Sequence, residues 1–192
     1  MTALDDLRAE IAAHPSNAWA TVQGWEPLVI GSPASRVLLI SQAPGRRAQE
    51  TGIPWNDASG VRLRSWLGVT DEEFYDTSRF AIVPMDFYYP GKAPSGDKPP
   101  RPDVAPLWHP RILATFTDVR LTILVGSYSQ RHYLGPTRGA TLTETVRRAT
   151  EIHPSFPIVH PSPLTLGWQR RNPWFDSETL PALRARVRTA LE

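Results

Sequence analysis

Four short runs of branched and aromatic side chains limit what this chain can fold into: Val37–Ile40, Phe80–Val83, Leu121–Val125 and Pro157–His160. Each run is continuous rather than alternating, and a strand that is apolar on both sides has to be covered on both sides. Segments with helical spacing lie around and between them. Leu4 to Ala13 and Asp103 to Phe116 carry apolar positions at helical intervals, and Ser59 to Leu67 opens on a serine suited to capping. Thr141-Leu-Thr-Glu144 has the form of a capping box opening a helix through Arg148, and Ser177 to Val187 reads as an amphipathic terminal helix. Strands alternating with helices predict a parallel sheet wrapped on both faces. With 192 residues, 41% of them apolar, the chain suffices for one domain with a sizeable core. The expected architecture is a single three-layer α/β/α sandwich over residues 1–192 with a central four-stranded parallel sheet.

In such folds ligands sit beyond the carboxyl ends of the strands. That rule gathers Ser41–Gly45, Pro84–Asp86, Gly126–Tyr128 and His160–Leu164 around one crevice although they are far apart in sequence. The segment from Asp86 to Pro102 is too rich in proline and glycine for a helix or an inner strand. It is expected to be a long loop. Its aromatics, Lys92, Lys98 and Arg101 suggest a phosphate-contacting surface beside the crevice, against the alternative of a solvated connector.

Composition narrows the chemistry. The chain has no cysteine, which excludes disulfides, thiolate nucleophiles and any cysteine-ligated zinc or iron-sulfur cluster. A net charge of +2 means that any nucleic-acid footprint must come from local clustering. There is no Gly-x-x-x-x-Gly-Lys-Ser/Thr phosphate loop, no Gly-x-Gly-x-x-Gly after the first strand and no Gly-x-Ser-x-Gly elbow. That argues against an unrelated nucleotide-binding enzyme or hydrolase on a doubly wound sheet. No basic region followed by an apolar run opens the sequence and no stretch is long and apolar enough for a membrane helix. The expectation is a cytoplasmic protein with no membrane partner.

Two motifs carry the functional reading. The first is Arg36-Val-Leu-Leu-Ile-Ser-Gln-Ala-Pro-Gly45, continued by Gln49-Glu-Thr-Gly-Ile-Pro-Trp-Asn-Asp-Ala-Ser-Gly60; the second is His160-Pro-Ser-Pro-Leu164. In order and approximate separation they resemble the signature motifs of the uracil-DNA glycosylase superfamily, in a non-classical branch without an iron-sulfur cluster. The resemblance implies a uracil-DNA glycosylase-like fold. It also implies hydrolysis of the bond between a deaminated base and deoxyribose during base excision repair, by a monomer acting on DNA without metal or organic cofactor.

Such an enzyme takes the nucleotide out of the stack, holds the base between an aromatic face and hydrogen-bonding groups, and stabilises the departing base anion while a water attacks the sugar. Trp55 occupies the place where similar glycosylases put the aromatic that stacks on the base; the other reading is a core tryptophan. Asp57 resembles the water-activating aspartate of one branch, or else it is a carboxylate satisfying free amides at a helix start. His160 would hydrogen-bond the base carbonyl; His153, with the same following Pro-Ser, lies at the wrong end of its apolar run. Gln42, Ala43, Met85 and Asp86 are the further base-binding candidates. Leu164 matches the wedge that fills the space left by the flipped nucleotide, or it anchors its own loop on Trp168 or Trp174. The DNA-binding candidates are Pro44, Gly45, Lys92, Lys98, Arg101, Ser127, Ser162, Arg170 and Arg171, with a solvated basic face as the alternative for Arg170 and Arg171.

Two departures from the family pattern stand out. The classical first motif has an aspartate immediately before its proline, where this chain has Ala43, so Asp57 would have to substitute. Many relatives end the second strand with an asparagine that reads the base, where this chain has Pro84. The preferred lesion is therefore open between uracil, hypoxanthine and xanthine. A relative that binds nucleic acid but has lost catalysis is the alternative.

Overall fold

The computed structural model describes residues 2–192. In chain order the helices are α1 (Ala3–Ala13), α2 (Ala18–Thr21), α3 (Arg46–Thr51), α4 (Ala58–Leu67), α5 (Asp71–Tyr75), α6 (Val104–Leu113), α7 (Ser127–Leu134), α8 (Leu142–Arg147), α9 (Leu166–Arg171) and α10 (Leu180–Leu191). The strands are β1 (Val37–Ile40), β2 (Phe80–Ile82), β3 (Leu121–Val125) and β4 (Ser155–Ile158). They form one four-stranded sheet in the order β2-β1-β3-β4. Every pairing is parallel.

The pleat sends alternate side chains to opposite faces, and two cores result. Val37, Leu39, Phe80, Ile82, Ile123 and Phe156 point to one side, where Leu63 and Trp66 of α4, Phe74 of α5, Val146 of α8 and Leu183 and Val187 of α10 cover them. Leu38, Ile40, Ala81 and Leu124 point to the other, under Leu7 and Ile11 of α1, Trp108 and Ile112 of α6 and Leu134 of α7. The three-layer α/β/α expectation holds. Among the described residues no helix is long and apolar enough to cross a membrane.

The second strand ends one residue early, at Ile82, and α6 spans Val104–Leu113 rather than Asp103–Phe116. Three further boundaries differ from expectation, each for a local reason. The fourth strand starts at Ser155 and ends at Ile158, so Val159 and His160 already belong to the turn beyond it. The cap of α4 is Asp57, not Ser59: its backbone is extended and its side chain accepts from Gly60 N. The final helix is preceded by one wide turn, Phe175–Thr179, that buries Phe175. The capping box at Thr141 and Glu144 forms as expected. The segment from Asp86 to Pro102 is a loop, but it is not loosely solvated. Phe87, Tyr88 and Tyr89 are buried, and Lys92 and Asp97 pair across a short antiparallel bridge.

Candidate active site

A cavity of about 420 Å³ opens beyond the carboxyl ends of the strands, within the size range of small-molecule sites. Segments distant in sequence meet there. Ser41, Gln42, Ala43, Pro44 and Gly45 enter from the turn after β1, and Trp55, Asp57 and Ser59 from the turn into α4. Pro84 follows β2, while His160, Ser162, Leu164 and Thr165 follow β4. Lys92, Gly96 and Asp97 reach in from the long loop.

Trp55 is held in an uncommon conformation, with φ at +59°. Its carbonyl oxygen accepts from Arg64 Nη1 at 3.2 Å, and the Pro54 carbonyl accepts from Tyr75 Oη at 3.0 Å. Arg64 is itself buried on α4 and paired with Asp71 at 2.6 Å. The indole is half-buried against the core and lines the cavity with its remaining surface.

The imidazole of His160 lies beside it, ring centroids 5.4 Å apart and planes 31° from parallel. That is direct ring-to-ring contact, so a base has to lie beside the imidazole against the indole rather than between the two. Burial lowers the pKa of His160 from its ordinary value, with the Asp57 and Asp97 charges opposing, so the ring is neutral at pH 7. Neither ring nitrogen has a protein hydrogen bond among the described residues, which leaves one N–H to donate. Its backbone is fixed by Thr165 Oγ1, which donates to the His160 carbonyl at 3.0 Å. Below it, the buried amide of Gln130 donates to the Leu124 and Ile158 carbonyls at 3.2 and 2.8 Å, tying the ends of β3 and β4 together.

Asp57 has two faces. Its Oδ1 accepts from Gly60 N at 2.9 Å, capping α4. Its Oδ2 faces the first motif, 4.0 Å from where a Cβ on Gly45 would stand. Capping and access to the cavity are thus compatible.

Ser162 Oγ caps its own turn by accepting from Leu164 N at 3.0 Å, and Leu164 projects outward from the cavity rim with 82% of its surface exposed. Arg62 grips this loop through the Ser162 carbonyl at 3.2 Å and through Gln169. Arg170 and Arg171 are exposed in the last turn of α9 and Ser127 is exposed at the start of α7. None of the three lines the cavity.

Other candidates are placed differently. Asp86 is 1% exposed and bound to Arg101, Oδ1 to Nη2 and Oδ2 to Nε at 2.8 Å each. Arg101 also donates to the Ser16 carbonyl and to Asn17. The pair closes the base of the long loop, so a base-reading Asp86 and a phosphate-binding Arg101 are replaced by an internal clamp. Met85 is buried and outside the cavity lining; its backbone N donates to the Ser41 carbonyl at 2.8 Å. Lys98 is exposed near Trp19 in a separate proline-lined depression. Asp97, Arg64, Gln130 and Gln49, which binds the Glu26 carbonyl and Tyr89 N, had no role assigned from sequence. For Asp97 a second carboxylate in a loop already marked as functional was the available signal.

A family model described as the Uracil DNA glycosylase superfamily matches residues 28–184, taking in both motifs and every strand. The chain belongs to the Uracil DNA glycosylase superfamily, whose function is in general of the DNA glycosylase type.

Proposed function

We propose that the chain is a monofunctional DNA glycosylase that hydrolyses the N-glycosidic bond of a flipped deaminated base, uracil or hypoxanthine foremost. The observation that carries this reading is that Trp55, Asp57 and His160 line one cavity beneath an exposed leucine. A flipped base stacks on the free face of Trp55. The neutral imidazole of His160 donates to its carbonyl oxygen and disperses the negative charge that grows as the bond to the sugar breaks. Asp57 Oδ2 orients a water and takes its proton as the hydroxyl adds to the sugar carbon; the base leaves as an anion. Its charge also favours the cationic character of that carbon. Leu164 fills the gap in the duplex, and Arg170 and Arg171 meet backbone phosphates.

The test uses purified protein and duplexes carrying one uracil or one hypoxanthine, heated in alkali after incubation. Strand scission at the lesion is expected. Measurable binding without scission for any lesion would make the chain a DNA-binding relative, the reading favoured by Ala43 standing before Pro44.

A further inference from the structure

The end of β2 offers the cavity no side-chain hydrogen bond. Pro84 lines it there, and its carbonyl oxygen already accepts from His109 Nε2 at 3.1 Å. Recognition of a base edge must therefore come from another element. The long loop supplies one. Gly91 and Gly96, at φ +93° and +78°, turn it back on itself so that Lys92 and Asp97 face each other with Nζ 2.9 Å from Oδ1, both at the cavity. Oδ1 also receives the Tyr89 hydroxyl at 3.5 Å, whereas Oδ2 has no partner among the described residues. Asp97 is close enough to His160 for its charge to be felt by the imidazole.

We infer that the Lys92–Asp97 pair is the specificity determinant of this site, reading a carbonyl next to a ring N–H on the flipped base. The inference rests on the glycosylase reading above and names what that site selects. The ammonium donates to the carbonyl and the free carboxylate oxygen accepts from the N–H. Uracil, hypoxanthine and xanthine present that pattern. Cytosine and adenine present its reverse, an amino donor beside a bare ring nitrogen, and leave both protein groups facing like partners. Guanine and thymine keep the favourable edge, so their exclusion falls to cavity shape and to the cost of opening their pairs.

The experiment compares base release from duplexes containing uracil and N3-methyluracil, which lacks the N–H, for wild type, Asp97→Ala, Lys92→Met and Gln42→Ala. A hydrogen bond to a charged group predicts that wild type prefers uracil by about tenfold to a hundredfold, that Asp97→Ala brings this ratio close to one, and that Lys92→Met lowers uracil release about tenfold. If Asp97→Ala slows both substrates alike and keeps the ratio, the pair only holds the loop and the inference is overturned. It is equally overturned if the ratio collapses in Gln42→Ala and not in Asp97→Ala. Wild type that releases no base from any duplex overturns the glycosylase reading itself, a result distinct from either of these.

Discussion

Gly60 approaches Trp55 so closely that a Cβ added to it would lie 1.7 Å from the Trp55 carbonyl oxygen. The first turn of α4 is thereby packed against the backbone that carries the indole. A left-handed conformation at a non-glycine residue costs on the order of 1–3 kcal/mol and persists only where its surroundings enforce it. Here the enforcement comes from Gly60 behind the carbonyl, from Arg64 hydrogen-bonded to it and from Tyr75 on the preceding one.

Gly60→Ala is therefore expected to swing Trp55 away from the cavity. Base release at saturating duplex should fall at least tenfold while thermal unfolding remains cooperative. A variant with wild-type turnover would mean that the close approach does not set the position of the indole.

The sheet and its layers were legible because four continuous apolar runs leave few alternatives. The convergence of Ser41–Gly45 with His160 followed from where parallel sheets place their ligands, whereas the place of Trp55 beside them was implied only by the family resemblance. The misplacement of Asp86 has a physical cause. It stands at a strand's carboxyl end, where ligand-binding residues belong, but a carboxylate buried there needs a counter-charge, and Arg101 supplies it. Asp97 was not legible for the complementary reason. The loop has no periodicity, and the contacts folding it inward, Asp86 to Arg101 and Gln49 to Tyr89, are tertiary. The capping reading of Asp57 was legible in the sequence and is what its Oδ1 does, while its Oδ2 faces the first motif and leaves room for the proposed catalytic role.

That division of Asp57 can be separated by substitution. Asparagine keeps an oxygen able to accept from Gly60 N but cannot take a proton from water. Asp57→Asn is expected to leave stability within about 0.5 kcal/mol and to depress turnover a hundredfold or more; Asp57→Ala should add a loss of about 1 kcal/mol from the missing cap. Denaturant unfolding and single-turnover kinetics on the same three proteins decide it. Equal turnover in wild type and Asp57→Asn would reduce the residue to a cap.

A second histidine makes stability depend on pH. His109 is buried on α6 between the Tyr133 hydroxyl at 2.5 Å and the Pro84 carbonyl, and burial lowers its pKa from 6.5 to about 4. The unfolded chain therefore binds a proton before the folded one does. Its contribution is fully present above about pH 6.5 and is lost as pH falls toward about 4, by roughly 3 kcal/mol at about 1.4 kcal/mol per factor of ten. In His109→Gln the slope of unfolding free energy between pH 6.5 and 4 should be shallower than in wild type. Parallel slopes would place the titration elsewhere.

Leu164 carries a prediction about substrate form. An apolar side chain 82% exposed at the cavity rim has no packing reason to be there, whereas a duplex missing one nucleotide from its stack has a gap to fill. Leu164→Ala is expected to lower kcat/KM on duplex uracil substrates about tenfold and to leave single-stranded substrates nearly unchanged. Equal losses on both forms would remove the wedge role.

Arg101 is held internally whereas Arg170 and Arg171 are exposed, and salt distinguishes them. Arg101 neutralises a buried carboxylate, so Arg101→Met leaves Asp86 without its counter-charge and is expected to cost roughly 3 kcal/mol of stability with the salt dependence of DNA binding unchanged. Arg170 and Arg171 are exposed and have no ion pair among the described residues. Changing either to alanine should leave stability within about 0.5 kcal/mol while weakening binding to any duplex and reducing the slope of log K against log salt by about one. Fluorescence anisotropy between low and moderate salt measures that slope. A full slope in Arg170→Ala and Arg171→Ala would move the phosphate contacts off α9, and a reduced one in Arg101→Met would return the long loop to the DNA surface.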